Sequence, residues 1–320
     1  MKYFGITTLL AVVGIGLGYF IGGWTGIYLV LILALLEVSL SFDNAVVNAK
    51  ILQTMELLWQ RRFLTWGILI AVFGMRFLFP ILIVSIVTGW GVGETLQIAL
   101  SNPEEYHHAL VESEKLIYGF GGAFLWMVFS DFLLGEKSIR WIKPVERYAE
   151  KLGMIHNSSL IVAMVIGILL TYYSRSYQIA IAYFLGILSY SILHGLNSYF
   201  SSLSVKNGLM GLLYLEVLDA SFSFDGVIGA FAISSNIFII MLGLGIGALY
   251  VRSLTIWMVE HGVLEEFPYL EHGAHYAIGA LATIMLLKIF FNIGEVVTGT
   301  LGLLLLGIAF LHSWLERRRR

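Results

Sequence analysis

Residues 37–44 read EVSLSFDN, and residues 219–226 read DASFSFDG. Each stretch has an acid, then Ser-x-Ser-Phe, then a second acid six positions after the first. Both stretches lie inside long apolar runs, where a carboxylate costs roughly 2.5–3.5 kcal/mol at the centre of a bilayer. A costly pattern that occurs twice indicates an internal duplication with a polar site in each half.

The composition around the two stretches is that of a membrane protein. The chain has 320 residues, of which 58% are hydrophobic and 12% are charged, whereas soluble domains carry about 25% charged residues. Apolar windows of about 20 residues predict an all-α polytopic membrane protein of about ten spans in one domain, residues 1–320. The predicted spans begin near Phe4, Gly26, Phe63, Leu116, Ser158, Gln178, Gly208, Ile237, Tyr276 and Thr300.

Charge and cysteine content exclude several classes of function. The chain contains no cysteine, so disulfides, thiolate metal sites and iron–sulfur clusters are excluded. The net charge of −2 does not favour a nucleic-acid partner. The partners we expect are the lipid bilayer and a small substrate, with no cofactor.

The basic residues predict the orientation in the membrane. With ten spans they fall almost entirely on one side, which the positive-inside rule makes cytoplasmic. They are Lys2, Lys50, Arg61, Arg62, Lys137, Arg140, Lys143, Arg147, Lys151, Lys206 and Arg317 to Arg320. Both termini are therefore predicted to be cytoplasmic.

The duplication extends beyond the two acidic stretches. Gly67 and Arg76 are nine residues apart, as are Gly243 and Arg252, and a third block matches at a constant offset of 158. Residues of about 4–175 therefore repeat as residues of about 176–316. A shift of five spans reverses the direction of crossing, so the sequence predicts an inverted-topology repeat with antiparallel motif helices. Many transporters are built in this way, with the site near the midplane.

The acidic motifs need compensation inside the membrane, and a bound cation would supply it. Carboxylate and amide oxygens suit hard divalent cations such as Mg²⁺, Ca²⁺ or Mn²⁺. The candidate ligands are Glu37, Asp43, Asn44, Asp219 and Asp225. Six residues turn a straight helix by about 600°, so the two acids of a motif share no face unless the helix unwinds between them.

Internal ion pairing is the competing interpretation of the same residues. Arg76 and Arg252 are available as partners, and Glu216 adds a fifth intramembrane acid. Asp131 and Lys288 lie deep in two other spans, where they pair with each other or join the network. Metal binding, ion pairing and protonation all remain open at the level of the sequence.

The motifs resemble those of the bacterial TerC family, in particular its DUF475 branch, which is kin to the lysine-exporter superfamily. That family pairs Glu-x5-Asp-Asn with Asp-x2-Phe-x2-Asp, which match Glu37…Asp43-Asn44 and Asp219…Asp225 here. The resemblance implies metal-ion export, best supported for manganese, across the bacterial cytoplasmic (inner) membrane. The chain departs from the pattern at Gly226, where the family usually has a serine hydroxyl.

Four functions follow as hypotheses. The first is a transporter that exports a divalent cation, most simply Mn²⁺, with or without coupling to protons. The second is an exporter of an amino acid or small organic cation. The third is a partner that delivers metal to exported metalloenzymes. The fourth is an intramembrane aspartyl protease with Asp43 and Asp225 as a dyad, which the sequence disfavours because Asp225 follows Ser-Phe rather than a glycine pair. We therefore expect a protein that is not an enzyme.

Overall fold

The computed structural model of the chain describes residues 2–202, 208–234 and 236–318, and within these ranges it contains helices and no strand. The helices are α1 (Lys2–Leu40), α2 (Phe42–Gln53), α3 (Leu57–Leu69), a π-helix (Ile70–Leu78), α4 (Phe79–Thr88), α5 (Val92–Ser101), α6 (Pro103–Leu134), α7 (Lys143–Gly153), α8 (Ser158–Ser174), α9 (Tyr177–Ser202), α10 (Gly208–Ile233), α11 (Ile237–Glu260), α12 (Val263–Glu266), α13 (Leu270–Lys288) and α14 (Glu295–Arg317). Of the basic residues used for orientation, Lys206, Arg319 and Arg320 lie outside the described residues.

The prediction of an all-α, multi-pass membrane protein is confirmed. Among the described residues, five helices are long and apolar enough to cross a membrane, or up to six if the bent pair α7 and α8 counts as one span. The remaining predicted spans coincide with α8, α10, α13 and α14. The total of ten spans and the division into two sequence repeats stay predictions.

The first apolar segment folds back on itself. It covers 37 residues, Phe4–Leu40, which would extend about 55 Å as one straight helix, against a hydrocarbon core of about 30 Å. Gly23 breaks it with φ 60° and ψ −144°, a conformation that in practice only glycine adopts. A Cβ on Gly26 would overlap the carbonyl oxygen of Gly18, so the two arms are in contact. The two arms of the segment coincide with the first two spans that the sequence predicts.

The chain divides into two compact units. The first unit comprises Met1–Glu114 and Gly211–Glu260, and the second comprises Lys115–Met210 and His261–Arg320. Each unit takes residues from both halves of the predicted duplication.

In the first unit, both arms of α1 pack against α11. A Cβ on Gly14 would lie 2.9 Å from the side chain of Ile246, and one on Gly247 would lie 2.5 Å from Cβ of Glu37. Gly22 lies against Ile239, so the first arm runs antiparallel to α11, and Gly243 lies against Leu33, so the second arm runs parallel to it. These glycine contacts place Glu37 directly against α11.

In the second unit, α6, α13 and α14 pack closely. A Cβ on Gly122 of α6 would lie 2.9 Å from Leu286 of α13, and one on Gly273 of α13 would lie 2.5 Å from Ala309 of α14. A buried carboxylate, Glu146, accepts hydrogen bonds from the backbone N–H of Trp141 at 3.0 Å and from the hydroxyl of Tyr276 at 3.2 Å. This carboxylate ties α7 to α13.

Candidate functional site

The two acidic motifs meet inside the first unit. A Cβ added to Gly226 would lie 3.2 Å from Oε2 of Glu37, and the side-chain amide of Asn44 donates to Oδ1 of Asp219 at 2.7 Å. Residue numbers rise along one helix as they fall along the other, so the motif helices cross antiparallel, as the sequence predicts. We call this place the motif crossing: residues 37–48 of α1 and α2, residues 216–226 of α10, and Arg76 and Arg252.

The backbone differs between the two motifs. The first is interrupted at Ser41, with φ −107° and ψ 14° between α1 and α2, and the Ser41 hydroxyl donates to Oε1 of Glu37 at 2.7 Å. The second lies within the unbroken helix Gly208–Ile233. A break in the helix between the two acids of a motif is thus limited to one residue in the first motif, and the second motif has no such break.

The first buried ion pair joins Glu37 and Arg76. Nη2 of Arg76 donates to Oε1 of Glu37 at 2.5 Å, and both side chains are 1% exposed. Nη1 also donates to the carbonyl of Ala71 at 2.7 Å. The π-helix Ile70–Leu78 carries this arginine, and such stretches are frequent at functional sites.

The second buried ion pair joins Glu216 and Arg252. Nη2 of Arg252 donates to both carboxylate oxygens of Glu216, at 2.9 and 3.0 Å. Nη1 donates to the carbonyl of Phe63 at 3.2 Å, and the guanidinium lies 4.2 Å from the centre of the Phe63 ring. A Cβ on Gly67 would overlap this guanidinium, so the glycine makes room for the pair.

Asp219 connects the two pairs. Its Oδ2 lies 3.7 Å from Nη1 of Arg76 and 3.5 Å from Nη2 of Arg252, and it has no hydrogen-bond partner. Its Oδ1 accepts the amide of Asn44. One carboxylate therefore faces an arginine from each half of the duplication.

Asp43 is placed differently from the other acids. Its Oδ1 accepts the backbone N–H of Asn44 at 2.9 Å, and its side chain is buried. Among the described residues it has no ion-pair partner. The side chain of Asp225, its counterpart in the second motif, lies outside the described part of the structure.

The motif crossing holds more negative than positive charge. Its described side chains include four buried acids, Glu37, Asp43, Glu216 and Asp219, against the two buried arginines. If all are ionised, two negative charges remain without compensation from the described residues. Oδ1 of Asn44 and Oδ1 of Asn48 are also buried without a hydrogen-bond partner.

The described side chains do not complete a metal site by themselves. Across residues 2–202, 208–234 and 236–318, no three acidic, histidine or cysteine side chains with described positions converge closely enough to hold a metal ion. Two of the four described acids, Glu37 and Glu216, are instead paired with a guanidinium.

The remaining sequence candidates lie in the second unit. Asp131 accepts the hydroxyl of Tyr190 at 2.5 Å, and the ammonium of Lys288 lies 5.1 Å from the ring centre of Tyr118. Both side chains thus contact tyrosines of that unit.

Sequence reasoning missed Asn48 as a part of the motif crossing and Gly67 as the residue that makes room for Arg252. Asn48 follows Asn44 by four positions and so shares its helix face, a signal present in the sequence. Gly67 is visible only as a position matched between the two halves, and its contact with Arg252 depends on packing.

Comparison with known proteins identifies the family of the chain. A family model described as a protein of unknown function (DUF475) matches residues 42–320. The chain belongs to the DUF475 family. The matched region begins just before Asp43 and includes Asn44 and all of α10 and α11, whereas Glu37 precedes it. No curated protein and no solved structure matches the chain. The wider kinship with TerC proteins stays a prediction from the motifs.

Proposed function

We propose that this DUF475 protein is a membrane transporter for a divalent metal cation, with Mn²⁺ as the first substrate to test. The observation that carries the proposal is the excess of buried acid at the motif crossing. If the four described acids are ionised, two negative charges remain inside the membrane, which is costly, and a divalent cation would neutralise both.

The ligands proposed for the cation are oxygens. Asp43 supplies a buried carboxylate outside the arginine pairs, Asn44 and Asn48 supply amide oxygens that lack hydrogen-bond partners, and Asp219 supplies Oδ2. Mn²⁺ and Mg²⁺ prefer such carboxylate and carbonyl oxygens. Asp225 is the further ligand that the repeated motif suggests.

We further propose that transport is export across a bacterial inner membrane, with both termini cytoplasmic, and that it is coupled to protons. A buried carboxylate binds either a proton or a cation, so the two compete for Asp43. The proposal assigns the chain no catalytic step. Delivery of metal to exported metalloenzymes would use the same site.

The first test is Mn²⁺ flux into proteoliposomes that contain the purified full chain. Wild type is compared with Asp43→Asn and with a matched control, Glu56→Gln, which changes an exposed acid without a side-chain cap hydrogen bond. We expect saturable flux in wild type and in the control, and loss of flux in Asp43→Asn with unchanged elution and helix content. Equal flux in all three proteins would refute a role for the motif crossing in metal transport.

A second candidate, a transporter for an amino acid or another small organic cation, is favoured by one observation. The described acids of the motif crossing already bind guanidinium groups, and no three of them converge as metal ligands. Lysine flux that Mn²⁺ does not inhibit, in the absence of Mn²⁺ flux, would select this candidate.

A further inference from the structure

Helix α7 is oriented as a helix that lies on a membrane surface. It meets α8 at 94°, and α8 is an apolar helix that the sequence predicts to cross the bilayer. A helix perpendicular to a membrane span lies along the plane of the membrane.

The side chains of α7 form three separate faces, roughly 120° apart at about 100° per residue. Glu146 and Ala149 are buried against the second unit. Val145, Tyr148 and Leu152 form an apolar face, and Tyr148 is 67% exposed. The third face is basic and consists of the exposed residues Lys143, Arg147 and Lys151, spaced by four. An exposed apolar face beside a basic face is typical of an interfacial helix.

The basic face borders a cavity of about 660 Å³. Its lining side chains come from α7 and from the residues just before and after it, and they comprise four basic residues, two acids, a serine and a methionine. They are Glu136, Lys137, Ser138, Arg140, Arg147, Glu150, Lys151 and Met154. The lining therefore carries a net positive charge.

The acids in the lining do not neutralise all of its basic residues, so some of them can bind an anion. Glu150 accepts three hydrogen bonds of 2.7–3.0 Å from Arg140, and these hold the pKa of its carboxyl below the ordinary value. The ammonium of Lys137 donates to the carbonyls of Leu133 and Gly135. Arg147 and Lys151 are the exposed cations at the cavity.

We propose that α7 lies in the membrane interface, with its apolar face in the bilayer, and that the adjoining cavity binds the headgroup phosphate of an anionic phospholipid. Charge complementarity selects the anionic lipid, since the basic face and the apolar face are adjacent on one short helix. Arg147 and Lys151 contact the phosphate, while Val145, Tyr148 and Leu152 contact the acyl chains.

The first experiment measures the depth of two faces of α7 in a bilayer. Because the chain contains no cysteine, Leu152→Cys and Arg147→Cys each provide one attachment point for a nitroxide in the full-length protein. In vesicles of phosphatidylglycerol and phosphatidylcholine, we expect the label at 152 to collide with oxygen dissolved in lipid. The label at 147 should collide with a water-soluble nickel complex. Equal water accessibility at both positions would overturn the proposal.

The second experiment measures lipid binding by the purified protein in detergent. Phosphatidylglycerol retention is compared for wild type, Arg147→Gln/Lys151→Gln and a matched control, Arg61→Gln/Arg62→Gln, which removes the same charge elsewhere. Each basic residue near an anionic surface contributes about a five-fold factor, so the first variant should bind about 30-fold more weakly and the control should not change. Phosphatidylcholine should bind all three alike.

Inorganic phosphate separates a lipid site from a site for a soluble phosphate compound. We expect no displacement of phosphatidylglycerol by inorganic phosphate at millimolar concentration, because the acyl chains contribute to binding. Displacement by phosphate, or equal weakening in the control variant, would overturn the lipid assignment.

Discussion

Removal of Arg252 should destabilise the protein more than removal of its partner Glu216. In Arg252→Met, Glu216 loses both of its hydrogen bonds to the guanidinium and remains as a buried unpaired carboxylate, which costs about 3–5 kcal/mol. In Glu216→Leu, Arg252 keeps Asp219 at 3.5 Å and the carbonyl of Phe63 at 3.2 Å. The loss should then be about 1.5–3 kcal/mol.

The double variant Glu216→Leu/Arg252→Met tests whether the two side chains stabilise the protein through their interaction with each other. Apolar side chains of similar volume often replace a buried ion pair at little cost, so the double variant should be more stable than Arg252→Met alone. The free energy of unfolding is measured from helix content during titration with dodecyl sulfate in mixed micelles. A double variant as unstable as the sum of the two single variants would refute the geometry of this pair.

Three further substitutions test contacts within each of the two units. Gly247→Ala should lower the free energy of unfolding by about 1–3 kcal/mol and weaken flux, because a Cβ there would lie 2.5 Å from Cβ of Glu37. The control Gly16→Ala, which has open space around the added methyl group, should leave the free energy of unfolding unchanged or slightly raised. Gly23→Ala should cost about 1–3 kcal/mol, since its φ of 60° is unfavourable for alanine, and thermal unfolding would show this. Glu146→Gln should cost about 1–3 kcal/mol because it replaces a buried acceptor of two hydrogen bonds; an unchanged unfolding transition would contradict that role.

The positions of the helices follow from the sequence because the bilayer restricts the backbone conformations that a spanning segment can adopt. A run of about 20 apolar residues in lipid satisfies its backbone hydrogen bonds most simply as a helix, and every predicted span start lies in a helix. The contact between the motifs was also predictable, since equal spacing in two inverted halves brings residues 37–44 against residues 219–226 in opposite directions. These features depend on patterns that extend over many residues.

The local geometry of the motif crossing was less predictable. Nothing in residues 70–78 distinguishes a π-helix from an α-helix, because the register of Arg76 depends on the position of Glu37 in another helix. The sequence marks Glu216 only as a fifth intramembrane acid, because Ala34 occupies the matching position in the first half and the duplication gives no signal there. Its two hydrogen bonds to Arg252 are a property of tertiary packing.

The ion pairs determine which acid is free to bind a substrate. A cation that binds at Glu37 or Glu216 has to displace a guanidinium that is held at hydrogen-bond distance, and separation of a buried pair is strongly unfavourable. Asp43 has no ion pair among the described residues, so a cation or a proton can bind there without separating an ion pair. Asp43→Asn removes a charge and leaves both arginine pairs intact. Glu37→Gln, by contrast, removes the negative charge of the Glu37–Arg76 pair. Loss of flux with preserved stability is therefore the result that distinguishes a substrate site from a structural ion network, and Asp43 is the described acid at which the two can be separated.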